Sequence, residues 1–393
     1  MKCHKLMLRI NFLMLVMVLV CACKGASAIP ASPPIDVTVS QTIPVPVFGT
    51  TPTSVITAPT PVPDIRNIVE PLLIDGEAGR IYASANVDGQ PKSVLLSATD
   101  GSLLAVYPYS GRLALDQNHH LLLVDQGVAG ITVVDSASGK GLGKLELPVS
   151  AESAADPQVD PKNGYAYIFR KGTVYALDVR AGIVVISKTL SLPFLVCGQA
   201  QGNADIKHSF YDSVSSTLYM SLNTWSCNGF FRDTILVYDA STLNELGQFE
   251  TASVYQAVAF AGSLYGTSQD TRLRIHDYWA HRNNKTWFLE GVGGSVVEMG
   301  GIVIDQKREL LYEDVGEHEH AQDPNINKQI RISSTTTRQL LKTVTINDLP
   351  VKNARLVGHD AYTDNLYFLE GGKLVIAPTT SILPVAPIEP RNK

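Results

Sequence analysis

The sequence is poor in the residues and motifs on which many functions depend. Charged residues make up 18% and aromatic residues 7% of its 393 positions. The net charge is −5 and no basic stripe is present, which argues against a nucleic-acid partner. Catalytic signatures are also missing: there is no G-x-S-x-G, H-E-x-x-H, C-x-x-C or glycine-rich phosphate loop. We therefore predict no catalytic residue.

Long apolar runs are missing too, apart from Ile10–Val20 near the N-terminus. That run follows a basic start and is short for a membrane span, so residues 1–28 are predicted to be a targeting segment. Val20–Cys23 resembles a lipobox, with Cys23 as the lipidated residue. Ala26–Ala28 resembles an ordinary signal-peptidase site, and an uncleaved anchor is a third possibility. All three place the remainder of the chain outside the cytoplasm.

Cysteine is scarce, with five in the whole chain. Three lie in the targeting segment, which leaves Cys197 and Cys227 in the remainder. An even pair in an exported chain favours a disulfide. This bond would close a loop of about 30 residues and stabilise the fold by roughly 3 kcal/mol. The alternative is two buried free thiols.

Residues 29–66 have almost no charge but nine prolines among Thr, Val and Ser. Proline fixes φ and removes backbone donors, so this segment is predicted to be an extended linker without a packed core. It would hold the following domain, residues 67–388, away from a membrane or cell wall. Residues 389–393 form a short tail.

What the chain does contain is a repeated four-part pattern, clearest over Arg112–Val149. Four short apolar or alternating runs are separated by joints rich in Gly, Asp, Asn and Ser. Such runs and joints predict a four-stranded antiparallel meander. One sheet of this size cannot bury both faces, so similar sheets must stack against it.

The pattern recurs roughly every 40–50 residues. Its first joint is an aspartate followed, a few residues later, by an aliphatic residue and often a tyrosine. The joint aspartates are Asp75, Asp116, Asp160, Asp212, Asp305 and Asp360, and a further copy at Gly262–Tyr265 lacks the aspartate. These aspartates are predicted to form turns. Seven such units predict an all-β, seven-bladed β-propeller of four-stranded antiparallel blades.

The paired joints, "aspartate–turn–LY" and "VxVxD–turn–G", resemble those of YVTN/NHL-type bacterial β-propellers, which are WD40-like but lack the Trp-Asp dipeptide. The resemblance covers about Val69–Ile388. It implies the propeller fold, which hosts binding scaffolds, lactonases and dehydrogenases alike, so it does not imply one function.

Aromatic residues concentrate where two units depart from the repeat. Unit four carries Trp225, Phe230 and Phe231 beside the predicted disulfide, and unit five carries Trp279 and His281. Exposed aromatic and basic groups suit a binding surface for a protein, peptide or glycan. The alternative is that they cover a blade edge or pack on an outer strand.

The unit-six insertion places two histidines among carboxylates: its candidate metal ligands are Glu317, His318, Glu319 and His320. In an extended strand both histidines share one face, which is compatible with Zn²⁺ or Cu²⁺, while the carboxylates suit Ca²⁺. An acidic hairpin tip without metal is the alternative.

Two functions follow from this sequence. The first, which we prefer, is an extracytoplasmic, lipid-anchored and monomeric binding scaffold at the cell surface. The second is an extracytoplasmic hydrolase or oxidoreductase with a divalent metal or quinone in the central channel. In the second case Asp205, Glu298, Asn353 and His359 are the channel candidates, because they lie near predicted inner strands.

Overall fold

The computed structural model describes residues 65–148, 155–190, 206–225, 231–269, 275–283, 286–291, 298–317, 327–345 and 354–383. All of these residues belong to one compact unit, Gln41–Lys393. Within the described ranges, no helix has the length and apolarity that a membrane span requires. The targeting segment, nearly all of the linker and the tail lie outside those ranges, so the predicted domain boundaries stay predictions.

The described residues form antiparallel strands grouped into blades, and the first three blades have four strands each. Blade 1 contains β1 (Ile65–Asp75), β2 (Arg80–Val87), β3 (Gln90–Ser97) and β4 (Leu103–Tyr107). Blade 2 contains β5 (Arg112–Asp116), β6 (Leu121–Asp125), β7 (Ile131–Asp135) and β8 (Gly141–Leu145). Blade 3 contains β9 (Gln158–Asp160), β10 (Tyr165–Arg170), β11 (Thr173–Asp178) and β12 (Ile183–Thr189).

Blades 4 and 5 form one continuous sheet because a long strand, β16 (Glu245–Phe260), is the last strand of one and the first of the other. Blade 4 also contains β13 (Ile206–Asp212), β14 (Thr217–Trp225) and β15 (Phe231–Asp239). Blade 5 also contains β17 (Ser263–Gln269), β18 (Ile275–Asn283) and β19 (Thr286–Gly291).

The last two blades differ in strand number within the described residues. Blade 6 contains β20 (Glu298–Asp305), β21 (Leu310–Glu317), β22 (Asn327–Ser334) and β23 (Leu340–Thr345). Blade 7 contains β24 (Arg355–Asp360), β25 (Asn365–Glu370) and β26 (Lys373–Pro378), followed by a 3-10 turn at Thr379–Ser381. Chain from residue 384 onward lies outside the description.

The seven blades close into a ring, as the sequence predicts. The first strand of each blade contacts the first strand of the next, in the order β1, β5, β9, β13, β16, β20 and β24, and β24 contacts β1 again. These seven inner strands line a central channel. The seven-bladed propeller prediction is therefore confirmed.

Strand β6 shows why the blades must stack. All five of its residues are buried, although alternate side chains of a strand point to opposite faces. Leu121 and Leu123 pack with residues of blade 3, whereas Leu122 and Val124 pack with residues of blade 1. Each such side chain contributes roughly 1.5–3 kcal/mol on burial, and it does so only when both neighbouring blades are present.

The joint aspartates form turns, which confirms the prediction made for them. In each case a carboxylate oxygen accepts a backbone N–H two or three residues later, as for Asp160 with Lys162 N at 2.9 Å and Asp360 with Tyr362 N at 2.8 Å. The same bond is made by Asp75, Asp116, Asp212 and Asp305. The turn therefore fixes where the first strand of a blade ends.

The tyrosine that follows the joint has a role that the sequence pattern did not reveal. Its hydroxyl donates a hydrogen bond to a backbone carbonyl of the next blade. The four pairs are Tyr82 with Ser136 at 3.1 Å, Tyr167 with Ala240 at 2.9 Å, Tyr265 with Thr335 at 2.6 Å, and Tyr367 with Ala98 at 3.1 Å. The "LY" pair thus both fills the core and links adjacent blades.

The chain direction gives the ring two distinct ends. Every inner strand ends at its joint turn, so all these turns lie at one end, which we call the turn face. The opposite end, where inner strands begin and where second strands turn into third strands, we call the entry face. Side chains near the start of an inner strand therefore lie at the entry-face mouth of the channel.

Candidate functional site

Charged and amide side chains from three blades meet at the entry-face mouth. Arg355 Nη2 of blade 7 lies 3.1 Å from Glu70 Oε2 of blade 1, and both side chains are partly exposed. Gln256 Nε2 of blade 5 donates to the same Glu70 oxygen at 3.3 Å. Burial raises the pKa of Glu70, against the opposing effects of Arg355 and Gln256. The carboxylate thus receives donors from two other blades.

A second ionic group lies between blades 2 and 3. Arg112 Nε, at the start of β5, is 3.4 Å from Asp156 Oδ1, just before β9, and Arg112 Nη1 donates to Ala155 O at 3.3 Å. Burial raises the pKa of Asp156, while Arg112 lowers it and Asp125 raises it further. Arg112 and Asp156 both keep more than a third of their side-chain surface in solvent, so a ligand can reach them.

Blade 4 adds basic groups to this mouth. Lys207 Nζ donates to Val254 O of blade 5 at 3.4 Å. The neighbouring His208 has its pKa lowered to about 4 by burial and by the charges of Lys207 and Arg112. His208 is therefore neutral at pH 7, whereas Lys207 and Arg112 supply positive charge.

A buried ion pair holds blades 2 and 3 together beside this group. Arg170 at the end of β10 donates to both carboxylate oxygens of Asp125 at the end of β6, with one distance at 3.0 Å. The two side chains are 1% and 3% exposed. Arg170 also donates to Phe169 O at 2.8 Å. A bidentate pair fixes geometry as well as charge, so the mouth is built on a rigid frame.

The arrangement is suited to polar recognition. Its charges alternate in sign, with Glu70 and Asp156 negative and Arg355, Arg112 and Lys207 positive. Partly exposed pairs of this kind contribute little stability. Their charges can instead face complementary groups of a ligand, which gives specificity and faster association.

Two of the predicted aromatic residues lie at the entry face. Trp225 ends β14 and Phe231 begins β15, and the two positions pair with each other at the turn between these strands. Their side chains, and all of Phe230, Cys197 and Cys227, lie outside the described residues. The predicted aromatic surface and disulfide therefore stay predictions.

The unit-five pair lies elsewhere. Trp279 and His281 belong to β18, the third strand of blade 5, and His281 pairs with Ser263 next to the joint turn. His281 is half-buried and close to the turn face. The structure therefore does not bring His281 together with Trp225 and Phe231, which lie at the opposite end.

The predicted metal ligands of unit six are mostly outside the described residues: His318, Glu319 and His320 are not described. Glu317 ends β21 at the entry face, where its backbone pairs with Asn327. Of the channel candidates, Asp205 and Asn353 are also outside, and Glu298 is described only as the first residue of β20. His359 lies at the turn-face end of β24 and stacks on Tyr312 of blade 6.

The residues of the mouth were not found by sequence reasoning. Glu70 and Gln256 are 186 positions apart, and only ring closure brings them together. The available signal was positional: each lies a few residues before the joint turn of its own unit. An alignment of the seven units that compared those positions would have placed Arg112, Glu70 and Arg355 near the channel.

One cluster in the described part of the chain has the chemistry of a metal site. Asp305, His359 and Asp364 each offer one ligand atom, and these atoms lie within 4.8 Å of one another. The cluster lies between blades 6 and 7 at the turn face. It is therefore distinct from the channel mouth.

Comparison with known proteins identifies the fold alone. No family model and no curated protein sequence matches this chain. Its structure is similar to the β-propeller domain of Cps50 (Swd1) from Myceliophteria thermophila, with a TM-score of 0.52 at 11% identity, covering 80% of this chain and 98% of that one. It is also similar to hydrazine synthase from Kuenenia stuttgartiensis, with a TM-score of 0.56 at 10% identity, covering 85% of this chain and 100% of that one. At such low identity these likenesses establish that the chain is a β-propeller.

Proposed function

We propose that this chain is an extracytoplasmic, membrane-anchored and monomeric scaffold that binds a protein, peptide or glycan at the entry-face mouth of its channel. The proposal includes membership of the YVTN/NHL type, on the strength of the paired joints. A propeller fold is consistent with an interaction scaffold, and the location of the charged groups favours the entry face.

The observation that carries the proposal is the charged mouth itself. Partly exposed groups on Glu70, Arg355, Arg112 and Asp156 belong to four blades and gather at one end. Charges scattered over a surface for solubility would not converge on one opening. A convergent set with both signs favours a ligand that carries charged or hydroxyl groups.

The longest departures from the repeat support the same face. The second strand of blade 4 ends at Trp225 and the second strand of blade 6 ends at Glu317, both at the entry face. Loops carried on a rigid scaffold are where binding residues concentrate. The proposal therefore assigns ligand contacts to the aromatic and acidic insertions that follow these two strand ends in the sequence.

The anchor is tested at Cys23. The full chain is produced in an export-competent bacterial host. We expect the wild-type protein to fractionate with the membranes and the Cys23→Ala variant to appear in the soluble fraction. A matched Cys21→Ala variant keeps the length of the segment and should remain with the membranes. Equal partition of wild type and Cys23→Ala would remove lipid attachment from the proposal.

Ligand binding is tested with arrays of peptides and glycans probed by the full chain. The mouth variant Arg112→Gln/Arg355→Gln should lower the wild-type signals by about tenfold or more, because it removes two contacts between opposite charges that are worth about 1 kcal/mol each. A charge-matched control, Lys162→Gln/Arg180→Gln, removes two positive charges from exposed positions at the turn face. It should bind as the wild type does.

The outcome of that comparison is decisive for the mouth. If the mouth variant keeps its array signals while unfolding at the wild-type temperature, the ligand does not bind there. If both variants lose the signals equally, net charge and not location governs binding.

The second candidate is an enzyme with a metal or quinone in the channel. Within the described residues, the one group of three metal-ligating side chains lies between two blades and not in the channel. The hydrazine synthase likeness shows the fold and no more, because identity is 10%. The charged mouth therefore favours binding over channel catalysis.

A further inference from the structure

The junction of blades 6 and 7 holds three potential metal ligands with little distance between them. His359 Nε2 is 3.7 Å from Asp305 Oδ2 and 3.8 Å from Asp364 Oδ1. An imidazole nitrogen and carboxylate oxygens bind Zn²⁺ at about 2.0–2.2 Å, which places tetrahedral ligands about 3.3 Å apart. The two distances from His359 Nε2 would each shorten by about half an ångström on coordination. The two carboxylate oxygens, which lie within 4.8 Å of each other, would also move closer together.

His359 is the observation that points to a ligand. Its side chain is 1% exposed and its Nε2 has no hydrogen-bond partner among the described residues. The ring stacks on Tyr312 with centroids 5.7 Å apart, which fixes the direction of Nε2 toward the two carboxylates. An unsatisfied buried polar atom is costly, by roughly 1–3 kcal/mol, so this nitrogen is expected to have a partner that protein groups do not supply.

The charge balance also favours an added cation. Three carboxylates, Asp305, Asp360 and Asp364, and one guanidinium, that of Arg308, surround His359. Asp305 is 1% exposed, so its charge is not screened by water. The cluster keeps a net negative charge after its internal ion pairs are counted.

Arg308 occupies the position between the carboxylates. Its Nη1 lies 2.9 Å from Asp305 Oδ2 and also contacts Asp364 Oδ1, and its Nη2 lies 2.6 Å from Asp364 Oδ2. The side chain is 32% exposed, so the guanidinium can rotate into solvent without crossing the core. A metal ion and Arg308 therefore compete for the same oxygens.

We propose that Asp305 Oδ2, His359 Nε2 and Asp364 Oδ1 form a site for a divalent transition-metal ion of the Zn²⁺ class, and that Arg308 bridges the carboxylates when the ion is absent. Because Asp305 belongs to blade 6 and the other two ligands to blade 7, the ion joins these blades. The site is independent of the channel mouth and of the proposed ligand.

The test uses Co²⁺ as a spectroscopic probe on the metal-free full chain. The chain carries His318→Asn and His320→Asn, so that the predicted unit-six histidines do not bind the probe ion. In that background we expect one Co²⁺ per chain, visible absorption from a low-coordinate N/O site, and a rise in the unfolding temperature. Zn²⁺ should displace the Co²⁺ and abolish the absorption.

Two variants and one control determine the ligands. His359→Asn should weaken Co²⁺ binding by about tenfold or more, because one of three protein ligands is lost. Arg308→Gln should tighten it by about tenfold, because the competing cation is gone while the metal-free chain loses an interblade contact. His119→Asn is the matched control, since His119 lies in the corresponding turn of blade 2 and already contacts Asp116 at 2.8 Å.

The outcomes separate clearly. Failure of Co²⁺ to bind both the background chain and Arg308→Gln at millimolar concentration overturns the proposal. Equal affinity of His359→Asn and the background chain also overturns it, and circular dichroism confirms that each variant is folded. Tighter binding by Arg308→Gln supports it even if His359→Asn fails to fold.

Discussion

The hydroxyl of Tyr367 in blade 7 donates a hydrogen bond to the carbonyl of Ala98 in blade 1, at 3.1 Å across 269 positions of sequence. Both residues are buried. The same contact recurs between earlier blades, so the closure of the ring uses the bond that joins its other members. Blade 7 therefore joins blade 1 through the same tyrosine–carbonyl hydrogen bond that joins other neighbouring blades.

Removal of this hydroxyl should weaken closure. Tyr367→Phe leaves the Ala98 carbonyl without its donor in a buried location, and we expect a loss of about 1–2 kcal/mol in the free energy of unfolding. Tyr362→Phe is the control, because Tyr362 is 72% exposed. Denaturant unfolding compares the two, and equal stability would show that the Tyr367 bond does not contribute.

Loss of one member of the buried ion pair should have a larger effect. Arg170→Met leaves Asp125 buried and unpaired, which is expected to cost about 3–5 kcal/mol. The double variant Asp125→Leu/Arg170→Met removes both charges and should be more stable than the single variant. Thermal unfolding gives the order, and a double variant less stable than the single one would contradict this account of the pair.

Inner strands of adjacent blades approach each other closely at two glycines, and alanine substitutions there test this approach. A Cβ at Gly301 would lie 1.6 Å from the backbone oxygen of Leu356 in the next blade, whereas a Cβ at Gly358 would meet the tip of the Ile74 side chain at 2.6 Å. A backbone atom cannot move aside as a side-chain tip can. We expect Gly301→Ala to cost about 3 kcal/mol or more and Gly358→Ala about 1 kcal/mol. Denaturant unfolding of both variants would reveal a reversed order.

Acid stability should depend on His208. Its pKa falls from an ordinary value of 6.5 to about 4 in the folded chain, chiefly through burial. The unfolded chain therefore binds the proton more readily, so the stability that His208 contributes is complete above about pH 6.5 and is lost as the pH falls toward 4. His208→Gln should flatten the unfolding free energy over this range. His120→Asn, at an exposed position where φ is 54°, is the control for the loss of a histidine.

The fold could be predicted from the sequence because each blade is built from strands and turns that are close together in the chain. Each blade is a meander whose joints hydrogen-bond their own backbone, as Asp160 does with Lys162, so short-range patterns identify it. The repeat then fixes the number of blades. The long strand β16 was not foreseen, because its passage from blade 4 to blade 5 follows from the register of both sheets and has no turn residues of its own.

The sites were not predictable in the same way, because they depend on contacts between distant units. Asp305 was identified as a turn former, yet its second oxygen faces Arg308 and lies near His359 of the next blade. His359 was named as a channel candidate, but the residue alternation of β24 directs its ring to the blade interface. Such contacts depend on how neighbouring blades pack, which the repeat pattern does not specify.

The uninterrupted strand from Glu245 to Phe260 has a consequence for the ancestry and engineering of this ring. Most repeats of the chain are separable at a loop, where a unit can be duplicated, excised or made the new terminus of a circular permutant. Blades 4 and 5 share a single backbone segment and have no such seam, so they are expected to be gained, lost or transplanted together. A circular permutant with its new termini inside β16 would interrupt the outer strand of blade 4 and the inner strand of blade 5 at the same time.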